Sequence, residues 1–507
     1  MHSVAVWLTP PRRWLAVIVV ASLLWTGWYG TQAVWNTQVV DVPSEDIPHA
    51  WQTMWNVAHG HGFRYTDVRL QQDLPRMSAH ADYFLILISP LTWFTQRYEA
   101  LVWLQTIMMA SGALALWLIG RRLTGRDALG AFLAGAYLLS GPIQFTATFQ
   151  FHAVALALPF LLWAAEALIA RRRWWVVWIW FGLALLTKEQ VGLVGGMMLG
   201  WMAWRDRRRT LAAWLVGLGT VWTIAHFAWI IPAVRPDTDP HLFWRYYYGS
   251  LGQTPQEIIP KLLTPSTFFS RFLLAENIRS ILFLLVGLAG LPLMNPLILL
   301  AGVTYLPHLL ADTEAVRSLY YQNHILAMAP LMMAAAYGLQ RLWRSPRLKQ
   351  LRLVTIFGGP ILVMLGSAMY SPNPWSVAYR AGFRDRDPRV GAIATLAPLI
   401  PPNVTIATAW GLPPLFRSHP TVHILPAGIS RAEYVVVGPS ALQAVHDYAP
   451  NYASDLMKYF AASAAWVRVA EAGDVVLYRR QPERPIDPLP PGFVDPTLHG
   501  KWFPNET

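Results

Sequence analysis

Between Arg12 and Arg352 the sequence alternates apolar stretches with polar loops, and arginines gather in alternate loops, the uncharged turn Met294-Asn295-Pro296 excepted. A helix crossing about 30 Å of hydrocarbon needs about 20 mainly apolar residues, and its backbone polar groups must pair internally because no water reaches them. Eleven stretches approach that requirement: residues 12–30, 100–120, 128–147, 152–170, 174–187, 190–204, 211–231, 279–294, 297–311, 321–342 and 353–371. Only 13% of the 507 residues are charged, against about 25% in soluble domains. A soluble protein of this composition has too little polar surface to cover itself. Tryptophans near the ends of the runs (Trp14, Trp25, Trp28, Trp174, Trp175 and Trp204) suit the headgroup layer, where a ring is wet on one edge and apolar on its face. The expected fold class is an all-α polytopic membrane protein with about eleven transmembrane helices.

Charge orients it. Arg12-Arg13, Arg121-Arg122-Arg126, Arg171-Arg172-Arg173, Arg205 with Arg207-Arg208-Arg209, and Arg341 through Arg352 all fall on the side of the N-terminus. The positive-inside bias then predicts a cell-membrane protein whose N-terminus is cytoplasmic. The net charge of +12 is thereby explained by anchoring at the ends of apolar runs, and nucleic acid is not an expected partner. Residues 14–29 follow Arg12-Arg13 without a small-residue cleavage site, so they read as a retained first helix.

Four features fall on the opposite, outer side: residues 31–99, the Lys188-Glu189 turn, residues 232–278, and everything from about 372 onward. Ile47, Ala50, Trp51, Met54, Trp55 and Ala58 recur at helical spacing and predict an amphipathic helix over Ile47 to His61. Tyr83 to Phe94, interrupted by Pro90, is too short to span and reads as an interfacial helix; a crossing there would invert every later loop and violate the arginine bias. Short β-branched runs at 404–409, 434–437 and 475–478 alternate with helical patterns at 390–399 and 456–465, predicting a small extracytoplasmic α/β domain over 372–480. Residues 481–507 read as a Pro-rich tail, and residues 1–371 as the transmembrane domain.

With no cysteine, disulfides, thiolate metal sites and Cys nucleophiles are excluded. Glu45-Asp46 open the amphipathic helix. Carboxylates there suit the positive end of the helix dipole, and one of them also suits a catalytic base at the membrane surface. Lys188-Glu189 sit between two apolar segments, where charge is costly and is either paired or functional. Lys188 suits a lipid phosphate as a compact point charge, with Glu189 orienting it. His80, Asp82 and His152 lie at membrane entry points. Between Pro307 and His324, Arg317 beside Tyr320 and Tyr321 can clamp a phosphate or simply pair with Asp312 or Glu314. A divalent metal is an option, but no H-E-x-x-H spacing is present.

The runs His80-Ala81-Asp82-Tyr83-Phe84-Leu85, Pro90-Leu91, Leu104-Gln105, Phe149-Gln150-Phe151-His152-Ala153-Val154-Ala155, Leu186-Thr187-Lys188-Glu189, Tyr246 through Gly252 and Ile400-Pro401-Pro402 resemble a family of polytopic bacterial and archaeal membrane proteins of unknown function. That family looks similar to the GT-C glycosyltransferases, which take sugars from polyprenyl-phosphate donors. The resemblance implies a GT-C-like fold, an acid in the first outer loop acting as base or metal ligand (Asp46 or Glu45), and a donor-phosphate contact at Lys188. Further substrate contacts would come from Glu189, His152, His80, Asp82, Arg317, Tyr321 and His324, with an unidentified acceptor. Where the superfamily commonly has a second acid, this chain has His152, a departure that weakens the case for a metal. Two other classes stay open on sequence: a non-catalytic lipid-binding or scaffold protein of the same fold, and a secondary transporter. The transporter is disfavoured because no internal repeat is apparent and the ionisable residues gather at one face.

Overall fold

A computed structural model describes residues 10–37, 46–67, 72–95, 97–235, 242–376, 388–408, 419–425, 428–438 and 452–489. Each apolar stretch falls on helix: Pro10–Thr37, Glu99–Thr124, Asp127–Leu138 with Gly141–Thr148, Ala157–Ile169, Trp174–Leu185, Val191–Arg205, Arg209–Ala225, Ala275–Val286, Leu297–Leu309, Ile325–Arg344 and Lys349–Met369. Five helical stretches are long and apolar enough to cross a bilayer: Arg13–Thr37, Glu99–Thr124, Arg209–Val234, Gln322–Arg344 and Pro346–Met369. A sixth forms if Asp127–Leu138 and Gly141–Thr148, bent by 51° at their junction, count as one span. By length and composition, five or six crossings therefore stand in place of the expected eleven. The others are helices of 12 to 15 residues, roughly 18–23 Å long at 1.5 Å per residue.

Burial sorts the helices into layers. The most apolar window of Gln322–Arg344 is 94% buried, against 22% for Arg13–Thr37 and for Pro346–Met369. The first is the centre of the bundle and the other two are its rim, where Leu23, Leu24 and Phe357 stand exposed as lipid-facing side chains do.

Val191–Arg205 and Arg209–Ala225 pack with their backbones almost touching. Gly192, Gly196 and Gly200 form a row at i, i+4, i+8 along one face, and small residues let helices approach this closely in lipid. A Cβ on Gly219 would lie 2.0 Å from the Gly192 carbonyl oxygen, and one on Gly192 would lie 2.5 Å from that of Gly219. Thr223, on the second helix, donates to the Glu189 carbonyl at 2.8 Å and accepts from the Leu193 amide at 2.9 Å. The close packing thus fixes the Lys188-Glu189 turn.

In the segment expected as the first outer loop, the helix Asp46–Ala58 precedes an antiparallel hairpin of β1 (Arg64–Asp67) and β2 (Gln72–Pro75). The expected amphipathic helix forms, but Ile47 through Asn56 are buried on every face. Its polar side has protein partners: Gln52 exchanges two 2.9 Å hydrogen bonds with Thr66, and Asn56 donates to the Arg64 carbonyl at 3.0 Å. Phe84–Ile88 and Leu91–Phe94 are the short helices of the interfacial segment, and they leave Leu87, Trp93 and Phe94 exposed.

Beyond the bundle lies a five-stranded sheet of β3 (Thr405–Thr408), β4 (Thr421–Ile424), β5 (Tyr434–Val437), β6 (Trp466–Ala472) and β7 (Val475–Arg480), in the order β4-β3-β5-β7-β6. β3 pairs in parallel with β4 and β5, and β7 is antiparallel to β5 and β6. Helices Pro388–Leu396 and Tyr452–Ala462 accompany it. β4 and β6 are additions to the sequence expectation. The edge strand β4 docks on the first outer loop: the Val422 amide donates to Thr66 at 3.1 Å, Thr421 to Asp73 at 2.7 Å, and Gln52 to the Pro420 carbonyl at 2.7 Å. Two boundaries shift. Asn373 is buried against Tyr29 and Gln144 and belongs to the bundle. The expected tail packs on the sheet domain as far as Leu489, with Ser463 bonded to Asp487.

Gly219→Leu should lower the melting temperature in detergent by an amount corresponding to about 1–3 kcal/mol, the usual cost of overpacking. Gly217→Leu, where no atom lies within 4 Å of the new Cβ, should leave it near wild type.

Candidate active site

The first outer loop, the entry to the helix Ala157–Ile169 and the Lys188-Glu189 turn meet at a cleft of about 60 Å³ lined by Asp46, Arg76, His80, Asp82, His152, Thr187, Lys188 and Gln322, among others. That volume holds a few waters or one phosphate-sized group.

Glu189 ties two of these segments together. It is buried, accepts from the Ala81 amide at 3.0 Å, and lies 3.2 Å from His80 Nδ1. The Phe84 amide donates to the Leu186 carbonyl at 2.7 Å beside it. Glu189 therefore grips the first loop instead of orienting Lys188 as expected. Burial acts to raise its carboxyl, but His80, Lys188 and the Ala81 amide outweigh that and hold it at about 2.

Asp82, expected to contact substrate, has both oxygens taken by Arg76, at 3.1 and 3.0 Å from Nε and 2.6 Å from the terminal nitrogen. Both side chains are less than a tenth exposed. Arg76, six residues before Asp82, is absent from the expected site. Its signal is a lone arginine just before a membrane entry point.

His152 is set by Gln105, which is fully buried in Glu99–Thr124. Gln105 accepts from the His152 amide at 2.8 Å and donates to the Thr146 carbonyl at 3.0 Å and the Gln150 carbonyl at 3.3 Å. His152 Nδ1 lies 2.9 Å from the Gln150 carbonyl, and Nε2 lies 2.9 Å from Asp46 Oδ2. With Nδ1 donating to a carbonyl, Nε2 carries a proton only in the cationic ring, the form in which the pair is an ion pair. Burial pulls the Asp46 carboxyl upward, but His152, then His49 and Arg76, hold it below the usual carboxylate range. Its side chain is nonetheless 49% exposed, open toward the cleft. The Lys188 carbonyl accepts from the Val191 amide at 3.2 Å, but its ammonium forms no hydrogen bond or ion pair with any described residue, and the side chain lines the same cleft.

The remaining expected contacts stand elsewhere. Glu45 lies outside the described residues. Arg317 is committed to Glu276 through two nitrogens and donates to the Ala311 and Asp312 carbonyls at 2.7 Å each. Its partner is therefore neither a phosphate nor the expected Asp312 or Glu314 side chain. Tyr321 meets the edge of Phe149 at 5.2 Å, and Phe149 stacks on His152 at 5.5 Å, so Tyr321 supports the site from behind. His324 is buried, with Nε2 3.1 Å from the Pro142 carbonyl. Among the described residues no group of three His, Asp or Glu side chains is arranged to hold a metal. Asp46 and His152 supply two such groups.

Long apolar helices, a charged cleft at one end of the bundle and a small α/β domain docked on the helix–hairpin segment before it define a polytopic membrane protein. The chain belongs to the family described as "Predicted membrane protein (DUF2079)", which matches residues 51–450. No curated protein matches it. Among solved structures, ArnT from Cupriavidus metallidurans bound to undecaprenyl phosphate aligns with 93% of this chain and 98% of its own, at 14% identity and a TM-score of 0.48. The Archaeoglobus fulgidus oligosaccharyltransferase tethered to an acceptor peptide aligns with 94% of this chain and 75% of its own, at 12% identity and a TM-score of 0.35.

Two predictions follow from the ion pairs. Asp82→Ala should destabilise the protein by about 3–5 kcal/mol in thermal unfolding, because it strands a buried guanidinium; the pair Arg76→Met with Asp82→Leu should recover much of the loss. Glu189 contributes stability fully above its ordinary value of 4.5 and loses it as pH falls toward about 2. The melting-temperature gap between wild type and Glu189→Gln should therefore hold steady above about pH 5 and narrow below it.

Proposed function

We propose that the protein is a GT-C-like glycosyltransferase that moves a sugar from a polyprenyl-phosphate donor to an acceptor hydroxyl at the outer membrane–water interface. The observation that carries this reading is the convergence of the half-exposed Asp46 carboxylate and the unpaired Lys188 ammonium on one cleft. A scaffold or lipid-binding protein has no need of a solvent-facing carboxylate beside a phosphate-sized cationic pocket. The motif resemblance to GT-C enzymes points the same way.

In this reading the acceptor oxygen attacks the anomeric carbon and forms the new C–O bond. The bond from that carbon to the donor phosphate oxygen breaks, and its electron pair stays on the lipid phosphate. The hydroxyl proton passes to Asp46. A weak base suffices, because the proton becomes strongly acidic once its oxygen is bonded to carbon. The surroundings of Asp46 hold its carboxyl below the usual carboxylate range, so it is ionised and ready to accept. Lys188 meets the negative charge growing on the departing phosphate, where a fixed cation near hydrocarbon is worth more than in bulk water. The cleft takes the phosphate, and the polyprenyl chain runs along the exposed apolar side chains of the interfacial helices, Leu87, Trp93 and Phe94.

The test is turnover by purified protein with a panel of polyprenyl-phosphate sugars. Asp46→Asn should slow turnover about 10²–10⁴-fold with donor binding retained. Lys188→Ala should weaken both binding and turnover, the latter by about 10²–10³-fold. Turnover by Asp46→Asn at the wild-type rate eliminates Asp46 as the base, and donor binding with no turnover by wild type turns the assignment toward a lipid-binding protein.

A further inference from the structure

The arginine-bearing end of the bundle holds a second cavity, of about 530 Å³, whose lining includes Arg122, Arg171, Arg205, Asp206, Tyr337 and Arg344. It is separate from the Lys188 cleft. Ala157–Ile169 starts just after the cleft residues Ala153 and Val154 and ends at this cavity with Ile169. Val191–Arg205 runs from beside Lys188 to Arg205, and Ile325–Arg344 from beside Gln322 to Arg344. The shorter of these last two has 15 residues, which sets the two sites roughly 22 Å apart.

The cavity's charges are unbalanced. Arg122 is neutralised by the buried Glu166, 3.0 Å from its Nε. Arg171, Arg205 and Arg344 form no ion pair with any described residue, and Asp206 is the only acid in the lining. Arg205 is held in place: it donates to Gln340 at 3.1 Å, and its guanidinium lies 4.2 Å from the centre of the Tyr337 ring. Arg171, Arg205 and Arg344 are exposed, and with Asp206 the single acid among them the lining keeps a net positive charge that an entering anion relieves. Their planar forks match phosphate oxygens in pairs. Leu123 and Ile169 add apolar wall, and Trp204, 62% exposed on the Arg205 helix, marks the headgroup level.

We propose that this cavity binds the phosphate of an anionic phospholipid head group, at the end of the bundle opposite the Lys188 cleft. A basic pocket between helices at the membrane surface recognises the head group's charge, and the apolar wall takes the start of its chains. Free phosphate shares the oxyanion chemistry but gains nothing from the wall.

The experiment uses the full-length Lys188→Ala protein, so that lipid phosphate bound at the outer cleft does not contribute. Binding is read by native mass spectrometry and thermal shift with phosphatidylglycerol, phosphatidylcholine or inorganic phosphate added. Retention of phosphatidylglycerol over phosphatidylcholine is expected. Arg171→Gln with Arg344→Gln should weaken it about thirtyfold, and Arg344→Gln alone about fivefold. Arg171→Lys with Arg344→Lys should keep most of it. Equal binding of the two lipids, or binding untouched by the glutamine variants, overturns the proposal. Equal stabilisation by inorganic phosphate and by phosphatidylglycerol overturns the lipid assignment in favour of a free anion. None of these outcomes bears on turnover at the Lys188 cleft.

Discussion

A carboxylate buried near hydrocarbon must be paired, and Glu189 meets that demand with the first outer loop. Its partners are the Ala81 amide and the His80 ring, more than a hundred residues earlier in the chain. With that grip, residues 76–82 are pressed against the membrane helices and Arg76 and Asp82 close on each other in a dry space. The helix carrying Asp46 then comes to rest beside His152. The glycine-packed helix pair and Thr223 make the grip rigid by fixing the Glu189 backbone. The site is thus a consequence of desolvation: among the described residues of the cleft, Asp46, Arg76, His80, Asp82 and His152 have charged or polar side-chain partners and the Lys188 ammonium has none.

The Asp46–His152 contact bears on how such a site handles negative charge. Two carboxylates at these positions would repel and would call for a cation between them. A histidine in its cationic form pairs with Asp46 directly, 2.9 Å from Nε2, while Gln105 and the Gln150 carbonyl fix the ring. The same contact lowers the basicity of Asp46, so any role for it as a proton acceptor has to come late in bond formation, when the incoming hydroxyl has become acidic.

What could be read from the sequence was set mostly by periodicity and charge. The apolar runs gave every membrane helix its place, and the arginine loops proved to share one end, since Arg122, Arg171, Arg205 and Arg344 come from different loops and line one cavity. The cleft members Asp46, His80, Asp82, His152 and Lys188 were legible because charge at a membrane entry point is rare. Pairing was not. Nothing local indicates that Asp82 belongs to Arg76, that Glu189 faces backward to His80, or that Arg317 would find Glu276 instead of its neighbours Asp312 and Glu314. These choices depend on which elements meet. The burial of Gln52 and Asn56 escaped for the same reason: a polar helix face predicts water, and here a hairpin and a sheet edge take its place.

The short helices between the two charged ends explain how one bundle can hold polar sites on both. A helix of 15 residues spans roughly 22 Å, less than the about 30 Å of a hydrocarbon core. Mismatch of this size is accommodated by thinning the bilayer or by flanking polar side chains reaching outward. Lys188 and Arg205 stand at the two ends of this helix, so one short element separates the two charged regions. The buried central helical stretch Gln322–Arg344 carries Gln322 to one site and Arg344 to the other, so the two charged regions are built on one continuous element.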